Sequence, residues 1–587
     1  MPTHPESPRG APPGGTRIFG TRRALGRCAL VFVLQATLLA LTAWDKSDTT
    51  DEPDYLIGAL AQWTHGDYTN NCHAPAIPRW GFGLGLRMSD PALFSDWSES
   101  NDLSSHPLYS RPREQMRRNL FSARLATIFV TLAAGLFLYG AAEMLRPGAG
   151  LLAQILWAFS PSTLAHGSLA TLDMWAAGGL AAVLFVLLRA EQRSTIWTFL
   201  PLGLALGLAT GSKLTALPFA GIAVLYAWFA ARKNGQTPLR SFLLVALATL
   251  TVALVIWASF GFGVGMVDLA SLCGTGRGLG EGRFGPVPAS LWIEGWLLQV
   301  RRGQVGFFNY LLGETSRTGW PWFYLVVLAV KVTVAAQILA VLAIVARLRW
   351  GAHLKWPAEA LLLLYPLFLV LAMSLGNTQA GVRYILPAFP FFTVWLAIQG
   401  RRLFEHTRRF RIAIYCVVAL ACFESVRIHP HHLMFFNVFA GGPEGGPRYL
   451  IASEDWGQDQ RRLAVWQASN GVKRLYYSRY NGNPEAWGIT YRQALCEPRL
   501  AGKYALHATE VHRPKRVRPG CFDWLTQEPP DERIGYSIYI YRIDDARLER
   551  LKNGVASKPF WSAPGLLPYR DRAKAGEPTE PTDDPSQ

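Results

Sequence analysis

Charge is what this sequence has least of. Of 587 residues only 17% are Asp, Glu, Lys or Arg, against about 25% in soluble chains. Acid is the scarcer sign: 41 Asp and Glu stand against 58 Lys and Arg, for a net charge of +17. Cysteine is scarce as well, with seven in all. There is no Cys-x-x-Cys and no Cys/His ligand spacing, which argues against a disulfide-dense mini-domain and a structural zinc site. No internal repeat stands out. The one glycine-rich run, GLGEGRFG over Gly278–Gly285, follows no strand and so lacks the strand–turn–helix setting of a dinucleotide site. What fills the space is apolar and aromatic: 50% hydrophobic, 12% aromatic, 21 Trp. A disordered chain and a collagen-like chain are excluded, and a polytopic membrane protein with sizeable water-exposed parts fits.

A membrane-crossing helix needs about 20 mostly apolar residues, and about eleven segments qualify or come close. They are Cys28–Trp44, Asn119–Glu143, Gly150–Leu164, Thr171–Arg189, Ile196–Thr210, Leu214–Ala231, Ser241–Phe262, Trp322–Ala346, Ala358–Leu375, Tyr384–Ile398 and Ile412–Val426. Several are short and interrupted by Gly or Pro, the pattern of broken helices that line a cavity. The basic excess is not spread evenly. Arg17, Arg22, Arg23 and Arg27 precede the first segment. Alternate connections then carry Arg146; Arg189 and Arg193; Arg232, Lys233 and Arg240; Arg347, Arg349 and Lys355; and Arg401, Arg402, Arg408, Arg409 and Arg411. If each segment crosses once, all of these fall on one side, which the positive-inside rule makes cytoplasmic. Arginine in these places orients a membrane protein, and no basic–aromatic binding motif is present, so nucleic acid is not an expected partner.

The domain reading follows. Residues 1–26 form a disordered cytoplasmic tail, and 27–427 a transmembrane module with exoplasmic loops at 45–118 and 263–321. Residues 428–569 form an exoplasmic α/β domain, and 570–587 a disordered acidic tail. The first segment reads as a retained anchor, being long for a signal peptide and lacking a clear cleavage site. Within the C-terminal domain, Arg474–Tyr480 and Ile534–Arg542 alternate like strands and Asp459–Ser469 is spaced like a helix. Cys28, Cys416 and Cys422 lie in apolar segments. Cys72, Cys273, Cys496 and Cys521 all fall on the exoplasmic side, where disulfides form. Pairing Cys72 with Cys273 and Cys496 with Cys521 is one of three arrangements.

Ionisable residues in apolar surroundings are costly and mark function by default. Asp173 opens a segment in LAHGSLATLDMW, with His166 just before it. Lys213 lies between two short segments in ATGSKLTA, and Arg383 opens another in AGVRYILP. Asp48, Asp51, Glu52 and Asp54 follow the first segment. On the topology above all of these approach the exoplasmic face, whereas Lys331 lies deeper in its helix. Each alone has an ordinary reading: a solvated loop, a core histidine, a snorkelling lysine. Their convergence on one level is what points to a site. Carboxylates there supply a general base, and Lys and Arg stabilise a phosphate leaving group.

The order of motifs resembles the C-type-fold membrane glycosyltransferases, in the branch of dolichyl-phosphate-mannose protein mannosyltransferases and aminoarabinose transferases. The stretches that carry the resemblance are TTDEPDYLIGALAQWTHGDY, HAPAIPRW, SPSTLAHGSLATLDMW, GLATGSKLTALPF, YLLGETSRTGWPWFY, GVRYILPAFPF and HLMFFNVFAGGPEGGPRYLIASEDWGQDQRRL. The resemblance implies transfer of a sugar from a polyprenyl-phosphate carrier to a hydroxyl of a protein, lipid or glycan acceptor outside the membrane. It also implies an acidic pair, Asp51 and Glu52, and a second acid, Asp173. The family often reads HPPL followed by Lys; here HAPA is followed by Arg79, which would meet phosphate in its place. Expected site residues are therefore Asp51, Glu52 and Asp173 for catalysis and Arg79, His166, Lys213 and Arg383 for binding. No cofactor is called for, and a divalent metal is compatible with the set. The Asp455–Asp459 stretch, DWGQD, carries no derivable role. Competing readings are a transporter or flippase, which would show inverted repeats and midplane sites, and a non-catalytic membrane assembly protein.

Overall fold

The structure is a computed structural model and describes residues 22–96, 106–306, 308–352, 354, 356–451, 453–478, 482–496, 500–513 and 521–553. Most of the two tails expected to be disordered lies outside these residues, but the first helix already begins at Arg22. The main helices are α1 (Arg22–Asp45), α2 (Glu52–His65), α3 (Ala76–Ser89), α4 (Arg113–Leu145), α5 (Gly150–Ala158), α6 (Pro161–Gly167), α7 (Asp173–Gln192), α8 (Ile196–Thr210), α9 (Leu217–Lys233), α10 (Pro238–Ser259), α11 (Ser290–Val305), α12 (Phe323–Lys331), α13 (Val334–Trp350), α14 (Trp356–Leu375), α15 (Phe389–His406), α16 (Arg408–Arg427) and α17 (Gln460–Ser469). The chain is mainly helical and multi-pass, with a sheet in its C-terminal part.

Among the described residues six helices are long and apolar enough to cross a bilayer, and seven if the bent pair α12 and α13 is one span. Each of the eleven expected segments has a helical counterpart, so the difference lies in length and continuity. The expected segment Gly150–Leu164 is cut at Ser160, whose hydroxyl caps Thr163 N, with Pro161 opening the new helix. Proline tolerates that first position because its missing N–H has no partner there anyway. Helix α8 has only 15 residues and contains Pro201. The α12–α13 segment bends by 112° where Thr333 caps Ala336 N. Helices α15 and α16 carry Arg and Glu within their own turns.

Helix α7 lies at the centre of the bundle, its Leu180, Leu184 and Leu187 without solvent exposure. It meets α8 closely at Gly179, where a Cβ would come within 2.8 Å of the Ala209 Cα. A small residue lets the two backbones approach, as is usual between membrane helices. On the periphery Phe242, Leu243, Leu250 and Leu254 of α10 are exposed, as a helix facing lipid requires.

Between the membrane helices two hairpins form, β1 (Val264–Asp268) with β2 (Arg283–Pro288) and β3 (Asn309–Leu311) with β4 (Glu314–Ser316). The C-terminal sheet has the order β6-β5-β7-β9-β8, with β5 (Leu475–Ser478) parallel to both β6 (Tyr491–Gln493) and β7 (Gly502–His507). Strands β8 (Glu532–Ile534) and β9 (Ile538–Ile543) complete it as an antiparallel hairpin. The single strand expected over Ile534–Arg542 is therefore the end of one strand, a turn and another strand. Gly535 and Tyr536 sit at φ +62° and +66°, which breaks the extended backbone although the β-forming composition continues through it. Helix α17 packs Leu463 and Trp466 on one face of this sheet, as its spacing suggests. Cys72 is bonded to Cys273 and Cys496 to Cys521, and Cys28, Cys416 and Cys422 are free. The first bond ties the loop between α2 and α3 to the loop after α10.

Candidate active site

Two helix starts meet at one level. Asp51 is the residue before α2, with Pro53 in the first turn, and Asp173 is the first residue of α7. Acids are favoured at such positions by the positive end of the helix dipole. Asp51 makes no capping bond to its own helix. Its Oδ2 instead forms an ion pair with Arg383, 2.8 Å from Nη1. Arg383, in a single turn at Gly381–Tyr384, also lies with its Nε 3.6 Å from Asp173 Oδ1. Lys213, in the turn between α8 and α9, closes the set by a short ion pair with the same Asp173 oxygen. Four of the residues singled out in the sequence thus form one chain, Asp51–Arg383–Asp173–Lys213. Two acids and two bases balance, so an arriving anion is met by cations that must loosen existing pairs. Arg383 Nε has no hydrogen-bond partner and is one donor still free. Asp173 is 1% exposed in its side chain and Asp51 27%, so Asp51 is the more open of the two acids.

His166, buried, joins the set through Trp456: the rings meet edge-on at 6.0 Å, and the indole lies 4.4 Å from the Arg383 guanidinium. Tyr384 stacks under both cations, 4.9 Å from Lys213 Nζ and 5.6 Å from Arg383. Asp54, in the first turn of α2, is exposed, although the protein packed around it removes part of its hydration. Burial, then the Asp51 charge, pushes its carboxyl up to about 6 against the pull of Arg302.

Glu52 is not part of this chain. It is wholly buried and clasped by Arg124, with Nε donating to Oε1 at 2.8 Å and Nη2 to Oε2 at 2.6 Å. It also accepts from Thr49 N at 2.9 Å and from Ala170 N at 2.7 Å. With its oxygens saturated, Glu52 ties α2 to α4 and to the turn before α7. Arg79 stands apart too: it is fully buried on α3, donates to Asn70 O at 2.7 Å, and is lowered to about 10 by burial. Lys331, expected deep in its helix, ends α12 next to the bend and faces Glu454 of the C-terminal domain at 3.5 Å. Tyr384 and Arg124 are not singled out by the sequence reading, and Trp456 enters it only within DWGQD, without a role. For Arg124 the signal was there, a lone cation inside the apolar run Asn119–Glu143. Among the described residues no group of three or more His, Cys, Asp or Glu is placed to hold a metal ion.

Residues 116–260, which include His166, Asp173 and Lys213, match the dolichyl-phosphate-mannose-protein mannosyltransferase family. The match spans about a quarter of the chain and agrees with the resemblance carried by the motifs. No curated protein matches it in sequence. Among solved structures, ArnT from Cupriavidus metallidurans bound to undecaprenyl phosphate is similar over 87% of this chain and 97% of that one, at 12% identity and a TM-score of 0.47. The S. cerevisiae protein O-mannosyltransferase Pmt1-Pmt2 complex bound to the sugar donor is similar over 80% and 94%, at 11% identity and 0.47. Archaeal oligosaccharyltransferase AglB from Archaeoglobus fulgidus, in complex with an inhibitory peptide and a dolichol-phosphate, follows over 83% and 69%, at 11% and 0.43. Scores this low leave the placement of individual residues to the geometry above.

Proposed function

We propose that this protein transfers a sugar from a polyprenyl-phosphate carrier to an acceptor hydroxyl on the exoplasmic face, with inversion at the anomeric carbon. The observation that carries the reading is the Asp51–Arg383–Asp173–Lys213 chain at two helix starts. Asp51 is the more open acid and takes the proton of the attacking hydroxyl as the new glycosidic bond forms. The bond from the anomeric carbon to phosphate oxygen breaks, and its electron pair leaves with the phosphate. Lys213 and Arg383 meet that phosphate; Asp173 keeps both cations in place and neutralises them between turnovers. A phosphate leaving group needs no strong general acid, so one base suffices. Asp54 and Arg302 are charges near Asp51. Membranes containing the protein, supplied with radiolabelled polyprenyl-phosphate sugars, transfer label to an acceptor. Label that stays on the carrier with every sugar tried, while the Asp51→Asn variant behaves identically, overturns the reading.

A further inference from the structure

The DWGQD stretch finds its place in the contacts around it. Asp455 turns inward: its Oδ1 lies 3.0 Å from His507 Nδ1 and its Oδ2 accepts from Thr509 N at 2.9 Å. Gln458 locks the turn from inside, accepting from Trp456 N at 2.7 Å and donating to Glu454 O at 2.9 Å. The outward side is backbone. Trp456 O accepts from Thr50 N at 2.9 Å, Gln458 O accepts from Ser47 N at 3.0 Å, and Gly457 O accepts from Ser47 Oγ at 3.0 Å. Asp459 then accepts from Lys46 Nζ at 2.6 Å and from Ser537 Oγ at 2.7 Å. Residues 46–50 and 456–459 are thus laced together, and Asp51 is the next residue along. On the other flank Gly381, at φ +61°, has no room for a Cβ because Ser453 Oγ fills the space. Two residues on, Arg383 lies against the Trp456 ring. The same turn therefore touches both ends of the Asp51–Arg383 pair.

We infer that Trp456 is a positioning residue of the transfer site. Its carbonyl fixes the backbone beside Asp51, its ring fixes the Arg383 guanidinium, and the C-terminal domain thereby completes the site. This rests on the transferase reading for its kinetic consequence but not for its geometric one. A mere anchor between domains would be served by Lys46–Asp459 and Lys331–Glu454; it would not need an aromatic face under the arginine that joins the two acids.

The test uses the full-length protein in detergent with Trp456→Leu and Trp456→Phe, and Trp456→Met should the leucine variant fail to fold. Phenylglyoxal modification of Arg383, read by peptide mass spectrometry against exposed Arg492, reports its release without any substrate. A cation–π contact of this kind corresponds to about 2- to 30-fold in an equilibrium. Modification of Arg383 is expected to speed up by about that factor in Trp456→Leu and to stay near wild type in Trp456→Phe. Equal rates in all three folded proteins overturn the inference, whatever the transfer assay gives. In the transfer assay, KM for the carrier-linked sugar rises and kcat/KM falls by a similar factor in Trp456→Leu, with rescue by Phe. A loss shared equally by Leu and Phe variants overturns the role of the aromatic face. Faster modification with no transfer by wild type leaves the inference standing and sinks the transferase reading.

Discussion

Glu52→Gln and Asp51→Asn change neighbouring acids by the same minimal amount, and the structure requires opposite outcomes. Arg124 is completely buried. Besides Glu52 it donates to Ala43 O at 2.8 Å, Lys46 O at 2.9 Å and Ser47 O at 2.8 Å. Gln at position 52 keeps one acceptor oxygen but turns an amide N–H toward a guanidinium and leaves a buried cation without its counter-charge. Breaking a buried pair in this way costs about 3–5 kcal/mol, and the three remaining carbonyls hold the cost to the lower part of that range. Asp51 is different. It is partly open, and Arg383 retains Asp173 when Asp51 is neutralised, so Asp51→Asn is expected to cost on the order of 1 kcal/mol or less. The loss there is in rate, about 10²–10⁴-fold if Asp51 is the general base. Thermal unfolding of the two purified variants in one detergent, with transfer measured per unit of folded protein, separates the cases. Glu52→Gln melts clearly below wild type; Asp51→Asn melts near it and is inactive. A Glu52→Gln protein that melts like wild type and transfers nothing, beside an active Asp51→Asn, would refute the assignment and make Glu52 the base.

Removing the phosphate-facing charges in Lys213→Ala, Arg383→Ala should lower turnover by at least about 10²–10³-fold, the usual effect of losing one oxyanion donor; unchanged kcat in the folded double variant discards these cations as leaving-group partners. Asp54 is raised from 3.8 to about 6 in the folded protein. Its contribution to stability is therefore full below the lower value and lost as pH rises through the upper one. Relative to Asp54→Asn, wild type should lose stability across that window and run parallel above it, and parallel curves throughout would show that Asp54 is not held by its surroundings. Reporter fusions after Arg240 and after Arg542 are expected to report opposite sides of the membrane, cytoplasmic and exoplasmic; two cytoplasmic signals would move the site to the wrong face.

The membrane class and the helical segments are local properties. An apolar run of sufficient length goes into the bilayer wherever it stands in the chain, so Pro238–Ser259 and Arg113–Leu145 are legible without any knowledge of their neighbours. Asp51, Asp173, Lys213 and Arg383 were legible for a related reason: a charge at the edge of an apolar segment stands out by its cost. Continuity was less visible. Whether Phe323–Trp350 crosses straight or bends depends on a cap at Thr333 and an extended Val332, which apolar composition hides. The partners of each charge were not visible at all. Glu52 and Asp51 are adjacent acids with one motif between them, yet the helix start sends one to Arg124 on α4 and the other to Arg383 more than three hundred residues away. Trp456 was one aromatic among 21 Trp, and its backbone contact with Thr50 and ring contact with Arg383 exist only once the C-terminal domain is docked. Hydropathy is summed along the chain and can be read there; the pairing of buried charges depends on distances across the fold, which no local pattern records.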